Sequence, residues 1–261
     1  MTELGFRCDH VSHVFSNRGS VIEALTDVTF SAQPGEFICL VGPSGCGKST
    51  LLRILAGLLE PTSGRVIFGN SDSNLRPSTA LVFQEHGVFP WMSVRDNVAF
   101  GLEMQGVPRA EREARADALL RDVGLDGFAE AYPSVLSVGM RQRVGVARAF
   151  ISDVQLLLMD EPFGALDALT KRMMQEELLR LWRLHRHTLV FVTHDVDEAV
   201  ALADRIIVMT RRPATVHEQF VLPPDRPRGP DARKLPEARE TSRRIWDLVM
   251  SDIRSPSHAD A

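Results

Sequence analysis

Short, fully apolar runs alternate along this chain with longer segments of helical periodicity. Phe37–Val41 and Leu156–Met159 are apolar at every position, which is typical of strands buried on both faces of a parallel sheet. Lys48–Leu59 repeats leucine along one helix face. Further strands are predicted at Gly5–Val14, Ala24–Ala32, Val66–Phe68, Ala80–Phe83, Leu189–Val192 and Ile206–Val208. Strands that alternate with helices indicate right-handed crossovers, so the pattern predicts an α/β fold with a largely parallel sheet.

The middle of the chain is predicted to be a helical insertion into this core. Arg109–Val123 and Ser137–Phe150 repeat apolar residues at helical spacing, and a long helix follows at Leu169–Leu184. The predicted domain therefore spans residues 1–210, with a core of 1–87 and 156–210 and an insertion of about 88–155.

Residues 211–261 are predicted to be a proline-rich loop and a terminal helix. Leu222–Pro236 has many prolines and no periodicity, which indicates a surface loop. The helix after it carries an apolar stripe of Ile245, Leu248, Val249 and Ile253.

Composition narrows the function classes. The chain has 261 residues, 44% of them hydrophobic and 25% charged, which excludes wholesale disorder. Its net charge of −4 disfavours nucleic-acid binding. The odd number of cysteines (Cys8, Cys39 and Cys46) argues against a disulfide framework and favours a reducing compartment. No apolar run approaches the roughly 18 residues that span a bilayer, and the charged N-terminus predicts no signal peptide.

Residues 42–49, GPSGCGKS, match in full the phosphate-binding pattern G-x-x-x-x-G-K-[ST], known as the P-loop. Glycines let backbone N–H groups turn toward phosphate oxygens, and the following helix directs its positive end at the same anion. Lys48 supplies a cation and Ser49 a hydroxyl for Mg²⁺. A glycine-rich turn without function is the alternative. The predicted nucleotide contacts are Gly42, Pro43, Ser44, Gly45, Cys46, Gly47, Lys48, Ser49 and Thr50.

Two carboxylates follow the buried run at Leu156–Met159. A carboxylate at the end of a parallel strand reaches the edge where such sheets bind ligands. Asp160 is therefore a candidate Mg²⁺ ligand, and Glu161 a candidate general base for an attacking water. Their alternative is a solvated turn.

Together with five more segments, these residues resemble the ATP-binding subunits of ABC transporters, strongly over residues 5–210 and more weakly in the tail. The additional segments are the signature Leu136–Met140 with Arg141–Arg143, the Q-loop Gln84, the D-loop Gly164–Asp167, the switch histidine His194, and Phe15 at the adenine position.

The resemblance implies a P-loop NTPase fold, with a RecA-like parallel core, an antiparallel β subdomain and an inserted α-helical subdomain. It implies that ATP and Mg²⁺ bind between two copies of the chain. Lys48, Glu161 and His194 would be catalytic. Mg²⁺ would be held by Ser49, Gln84 and Asp160, and the nucleotide would also meet Phe15, Gln84, Ser137, Gly139 and Asp167.

Several of these residues have a simpler interpretation. Ser137 could be only a helix N-cap, His194 a core histidine and Phe15 a core aromatic. The thiol of Cys46, near a helix N-terminus, is either activated or a small filler, and filler is preferred. His185 and His187 are two apart on a predicted helix, so we expect them on different faces and not in a metal site.

Val138 stands where the family signature normally has glycine. In a first helical turn, valine costs only about 0.5 kcal/mol. A β-branched side chain would nevertheless hinder close approach to a partner's nucleotide, so we expect hydrolysis that is slower than with glycine.

The resemblance also implies partners. These are a second copy, membrane permease subunits docking near Gln84–Trp91, and indirectly a periplasmic or lipid-anchored solute-binding protein, at the cytoplasmic face of the inner membrane. Apolar residues in His86–Trp91 fit such a docking groove, although packing within the insertion is the alternative. Phe89–Trp91, Asp96–Val98 and Arg243–Leu248 are most similar to nitrate, sulfonate and taurine importers.

Other functions are less well supported. An ABC ATPase for another small organic solute or a lipid stays open. A DNA-repair or chromosome ATPase needs a long heptad insertion, which residues 85–135 lack. A P-loop kinase or GTPase for a small substrate would lack the signature and the switch histidine.

Overall fold

The computed structural model describes residues 5–17, 20–69, 77–83, 87–152 and 154–254. Strands in these ranges are β1 (Phe6–Asn17), β2 (Ser20–Ala32), β3 (Phe37–Val41), β4 (Ser63–Phe68), β5 (Thr79–Val82), β6 (Leu156–Asp160), β7 (Thr188–Val192), β8 (Arg205–Met209) and β9 (Val216–Val221). Helices are α1 (Lys48–Leu55), α2 (Val94–Met104), α3 (Arg109–Asp122), α4 (Val138–Ile151), α5 (Ala168–His185), α6 (Val196–Leu202) and α7 (Pro236–Arg254). None of the described helices has the length and apolarity needed to cross a bilayer.

The chain forms two compact units. The first combines Met1–Pro77 with Thr188–Ala261, and the second is Ser78–His187. The second unit contains the predicted insertion, whose boundaries stay a prediction.

Parallel strands form the centre of the first unit. β3 pairs in parallel with β7 on one side and β8 on the other, and every residue of β3 and β7 is buried. Burial on both faces explains why these strands are apolar throughout, as predicted. β9 extends the sheet antiparallel to β8 and was not predicted.

An antiparallel sheet completes the first unit, in the order β2-β1-β4. The Phe6 ring lies 5.7 Å from that of Phe30 and 6.4 Å from that of Phe68, centroid to centroid, and the three rings form a buried cluster at one end of this sheet. The parallel core and the antiparallel subdomain agree with the predicted fold class.

The second unit contains helices α2 to α5 and the parallel pair β5 and β6. α2 packs against α3 and α4, and α4 also packs against α5 and β5. α4 is largely buried, including Phe150. Gly101 of α2 allows close packing, because a Cβ there would lie 2.1 Å from Ser152 Oγ. The second unit thus holds α4 and α5 in a closely packed arrangement.

Two local predictions were wrong. The helix after the P-loop ends at Leu55 rather than Leu59, because Gly57 adopts a φ of 73° and ends the turn, and Leu58 is exposed. The rings of His185 and His187 also lie together rather than apart. α5 ends at His185, and Arg186, with a φ of 55°, reverses the chain so that the two rings stack 5.4 Å apart.

Residues 226–229, which follow β9, form hydrogen bonds with the C-terminal end of α6. Arg226 Nη2 donates to the carbonyl of Ala203 at 2.5 Å, and the N–H of Gly229 donates to that of Ala201 at 2.9 Å. Arg228 pairs with Asp204. Burial and the neighbouring Arg228 lower the pKa of Arg226 to about 10. These bonds satisfy carbonyls at and beyond the helix terminus, which the helix itself leaves unpaired.

Candidate functional site

The P-loop joins β3 to α1 in the first unit. Lys48 is buried, and its Nζ donates to the carbonyls of Gly42 and Pro43, each at 2.8 Å. Gly45 and Gly47 have φ values of 72° and 135°, which side chains with a Cβ rarely adopt. In this loop, residues with ordinary φ alternate with residues of positive φ. Such an alternation points successive backbone N–H groups into one concavity, a geometry that binds anions.

Two glycines of the P-loop, Gly42 and Gly47, also leave no room for a side chain, because backbone atoms of neighbouring strands lie close to them. A Cβ on Gly42 would lie 2.6 Å from the carbonyl oxygen of Met209, and one on Gly47 would lie 2.8 Å from that of Ala24. The P-loop is thus held against the strands of its own unit.

Cys46 is a filler within this loop. Its side chain is buried, and burial raises the pKa of the thiol despite the opposing charge of Lys48. The thiol is therefore protonated at neutral pH and poorly nucleophilic, in agreement with the preferred interpretation.

Phe15 lies on β1 with 39% of its surface exposed. The buried ring of His13 supports it edge-on at 4.5 Å. An exposed, supported ring is what stacking on a base requires, and it disagrees with a core role.

The signature opens α4 in the second unit. Ser137 is exposed and is the N-cap, where its Oγ accepts from the N–H of Met140 at 3.2 Å. A hydroxyl that accepts in this way still has its own proton to donate. Val138 is the first helical residue and is 39% exposed, as the first-turn interpretation requires.

The D-loop aspartate is also an N-cap. Asp167 accepts from the N–H groups of Leu169 and Thr170, both at 3.1 Å, and from Thr170 Oγ1 at 2.7 Å. The hydrogen bonds from Thr170 hold the pKa of the Asp167 carboxyl below its usual value.

Ser137, Gly139 and Asp167 line one pocket of about 400 Å³ in the second unit. Gly139 lies close to α5, since a Cβ there would be 2.9 Å from Thr170 Cγ2. The structure therefore brings the predicted signature and D-loop residues together, with two helix N-termini at one surface.

Asp160 ends β6 and Glu161 follows it, both half-buried. Glu161 has a φ of 45°, uncommon for a residue with a side chain, and its carbonyl accepts from the N–H of Gly164 at 3.1 Å. Sparsely populated backbone of this kind concentrates at active sites.

His194 is exposed in the loop after β7, so the core interpretation does not hold. The loop around it is fixed on both sides. The N–H of Asp195 donates to Thr193 Oγ1 at 3.0 Å, and the hydroxyl of Thr193 donates to buried Glu198 at 2.5 Å.

The predicted docking groove is partly described. Gln84 and His86 lie outside the described residues. Trp91 is 72% exposed, and the Phe89 ring contacts those of Trp91 and Phe100, with centroids 5.5 and 4.7 Å away.

Two residues that support this groove were missed as functional candidates. Buried Asn97 donates to the carbonyl of Phe89 at 3.0 Å and accepts from its N–H at 2.7 Å. Arg148 places its guanidinium 5.0 Å from the Phe89 ring centroid, and burial lowers its pKa. Asn97 could have been noticed in the sequence, because it is a polar residue among the apolar residues of one helix face.

The ABC transporter family model matches residues 25–164, more than half of the chain. The chain belongs to the ABC transporter family. Curated relatives in this family include the taurine import ATP-binding protein TauB of Roseobacter denitrificans, which is 43% identical over 88% of this chain and 89% of its own length. The nitrate import ATP-binding protein NrtD of Synechocystis is 47% identical over 78% of this chain and 77% of its own length.

A solved member of the family has the same fold. The dimeric ATP-binding cassette MJ0796, in a post-hydrolysis state bound to ADP and Pi, matches with a TM-score of 0.73 and 31% identity. The match covers 84% of this chain and 99% of that one.

Proposed function

We propose that this chain is the ATP-hydrolysing subunit of an ABC importer and works as a homodimer that holds two ATP molecules. The observation that carries the proposal is a complete P-loop with buried Lys48, in a chain whose Ser137 is exposed at the start of α4. An exposed Ser137 is accessible to a second copy. The dimeric, ADP-bound relative supports the same arrangement.

In this mechanism the P-loop binds the phosphates. Lys48 Nζ moves from the carbonyls of Gly42 and Pro43 to phosphate oxygens, while the first N–H groups of α1 direct their partial positive charge at the same anion. Phe15 stacks on the adenine, which its exposed ring permits.

Residues with hard oxygen donors fit Mg²⁺. Ser49 is the second residue of α1 and offers a hydroxyl, and Asp160 ends β6 with a carboxylate. Gln84 is the third proposed ligand. When bound, Mg²⁺ neutralises charge that develops on the phosphates.

Hydrolysis needs an oriented water and a proton acceptor. Glu161 accepts the proton from the attacking water, and His194 donates a hydrogen bond that holds the γ-phosphate in line. The hydroxyl of Ser137 and the N-terminus of α4 stabilise the γ-phosphate bound to the other subunit. Dimer closure completes the site, and opening releases products.

The surface of Phe89, Trp91 and Phe100 is the proposed contact for a permease helix, and it follows Gln84 in the sequence. Trp91 offers a large exposed apolar surface, and Asn97 fixes the backbone beneath it. Docking there would place the subunit at the cytoplasmic face of the inner membrane, where a periplasmic or lipid-anchored binding protein would deliver solute to the permease.

The solute is proposed to belong to the nitrate, sulfonate and taurine class. Support comes from the taurine and nitrate importers among the relatives. Another small organic solute is the alternative.

A glutamate-to-glutamine pair tests the ATPase proposal. Glu161→Gln removes the proton acceptor but keeps the side-chain size, so we expect it to bind ATP, form dimers in ATP and lose at least about 100-fold in turnover. Glu240→Gln, on the exposed face of α7, is the matched control and should hydrolyse ATP as the wild type does. Size-exclusion chromatography and phosphate release measure the two properties.

Brisk turnover by Glu161→Gln would remove Glu161 from its role. A wild-type chain that neither binds ATP nor dimerises in it would refute the proposed function as a whole.

A further inference from the structure

The turn between β8 and β9, residues 210–215, runs along the P-loop within the first unit. A Cβ on Gly42 would lie 2.6 Å from the carbonyl of Met209, just before the turn, and one on Gly47 would lie 3.6 Å from Ala214 Cβ. At the middle of the loop, a Cβ on Gly45 would lie 3.7 Å from Arg212 Nη2. The turn therefore places a guanidinium beside the left-handed glycine of the anion-binding loop.

The backbone of this turn is fixed on two sides. The N–H of Thr26 donates to the carbonyl of Ala214 at 2.9 Å, and the N–H of Ala214 donates to that of Ala24 at 3.0 Å. On the other side, the N–H of Arg211 donates to Asp252 Oδ2 of α7 at 2.6 Å. Arg212 thus extends from a braced backbone rather than from a loose loop.

Arg212 carries an uncompensated charge. It is exposed, and no carboxylate or carbonyl in the described ranges pairs with it. Other arginines of the same unit are paired, among them Arg205 with Glu36 and Arg244 with Glu218. A guanidinium has five N–H donors in a planar fork that matches phosphate oxygens.

We propose that Arg212 binds the phosphate chain of ATP beside Gly45, as a second cation that acts with Lys48. Lys48 approaches the phosphates from its buried position within the loop, and Arg212 approaches from the solvent side. This inference rests on the proposed function, because it needs a nucleotide in the P-loop. Arg212 is here a binding residue and takes no part in proton transfer.

The test measures binding of ADP and of inorganic tripolyphosphate by calorimetry. For Arg212→Ala we expect the dissociation constants of both ligands to rise about fivefold to tenfold, the usual effect of losing one charge-assisted contact. Arg212→Lys should recover part of this loss, since it keeps the charge without the fork. Arg65→Ala, which removes the same charge from an exposed site on β4, should bind as the wild type does.

Each other outcome overturns the inference. Unchanged binding of both ligands by Arg212→Ala removes the contact. If Arg212→Ala binds ADP more weakly but binds tripolyphosphate as the wild type does, Arg212 contacts the adenine base or the ribose rather than the phosphates. If Arg212→Ala without ligand unfolds at a lower temperature than the wild type, by enough to account for its weaker binding, Arg212 stabilises the fold and does not bind the phosphates. Absence of binding by the wild type would instead refute the proposed function.

Discussion

Two different physical causes fix the glycines of the P-loop. Gly45 and Gly47 have positive φ, so their backbone conformation excludes most side chains. Gly42 has no positive φ, yet the carbonyl of Met209 leaves no room for a Cβ. The motif predicted all three glycines. The sequence could not reveal the second cause, because Met209 comes from a distant strand that only the fold brings near.

Val138 tests whether the signature tolerates a β-branched side chain. It begins α4 with 39% of its surface exposed, so valine is compatible with the isolated subunit. We expect hindrance only when a partner's nucleotide approaches. We therefore expect Val138→Gly to raise the ATPase rate of the assembled transporter, where relief of about 0.4 kcal/mol suffices for about a twofold rise.

The measurement is phosphate release from wild-type and Val138→Gly transporters at saturating ATP. Val135→Gly, an exposed valine just before the signature helix, controls for a general effect of glycine. An equal or lower rate in Val138→Gly would show that valine does not hinder closure.

At the scale of elements, three helices that carry or adjoin candidate site residues begin with a capping side chain, whereas α1 begins at Gly47 without one. Ser137 caps α4, Asp167 caps α5 and Asp195 caps α6. Each cap fixes where its helix begins, and the neighbouring functional residue takes its position from that start. The structural and the functional interpretations of Ser137 are therefore compatible.

The cap of α5 makes a prediction about pH. The pKa of Asp167 is lower in the fold than its ordinary value of 3.8, because the ionised carboxylate accepts bonds from Thr170. A depressed carboxyl pKa adds stability that is fully present above pH 3.8 and is lost as pH falls through the folded pKa. At pH 7 we expect the unfolding midpoint to fall in Asp167→Ala, and to fall less in Asp167→Asn, whose amide oxygen still accepts.

Thermal unfolding at pH 7 and below pH 3.8 checks this expectation. The difference between the wild type and Asp167→Asn should shrink in acid, because protonation removes the carboxylate's advantage. A difference that stays constant across this range would mean that the charge of Asp167 does not stabilise α5.

The sequence analysis did not predict the elements α2, α6 and β9. Of these, α6 and β9 lack a clean period. Six of the seven residues of α6 are buried, so its pattern shows no single apolar stripe. β9 has only one fully buried residue, Phe220, and a strand that is mostly exposed resembles a loop. The central strands and the helices α3, α4 and α5 were predicted, because each keeps one pattern of apolar positions along its length.

The stacking of His185 on His187 shows a second limit. Helical spacing puts residues two apart on different faces, but this holds only while the helix continues. α5 ends at His185, and the left-handed Arg186 reverses the chain. A positive φ is predicted mainly at glycine or asparagine and not at arginine. The residue type at position 186 therefore gave no indication that the chain reverses there.

The whole molecule presents the two halves of the proposed mechanism in different compact units. The first unit holds the P-loop and His194, and the second holds Glu161 and Ser137. The sequence motifs predicted both sets. The P-loop and Ser137 were predictable because phosphate binding and helix capping follow local rules, and Glu161 because it follows a buried strand, whereas the role of His194 came from the family resemblance. The shared site of a dimer is a property of the assembly, so it requires an experiment with two different chains.

Mixed dimers supply that experiment. In a symmetric sandwich, each nucleotide contacts the P-loop of one copy and Ser137 of the other. In a Glu161→Gln background, Lys48→Gln damages the P-loop and Ser137→Arg blocks the signature, so neither variant alone should dimerise in ATP. Mixed, they form one site with both halves intact, and we expect dimers that retain about one ATP each. Size-exclusion chromatography with nucleotide quantification measures this, and unchanged melting of each variant without ATP shows that both are folded. If the mixture stays monomeric while the Glu161→Gln parent dimerises with ATP, the two copies do not complete each other's sites.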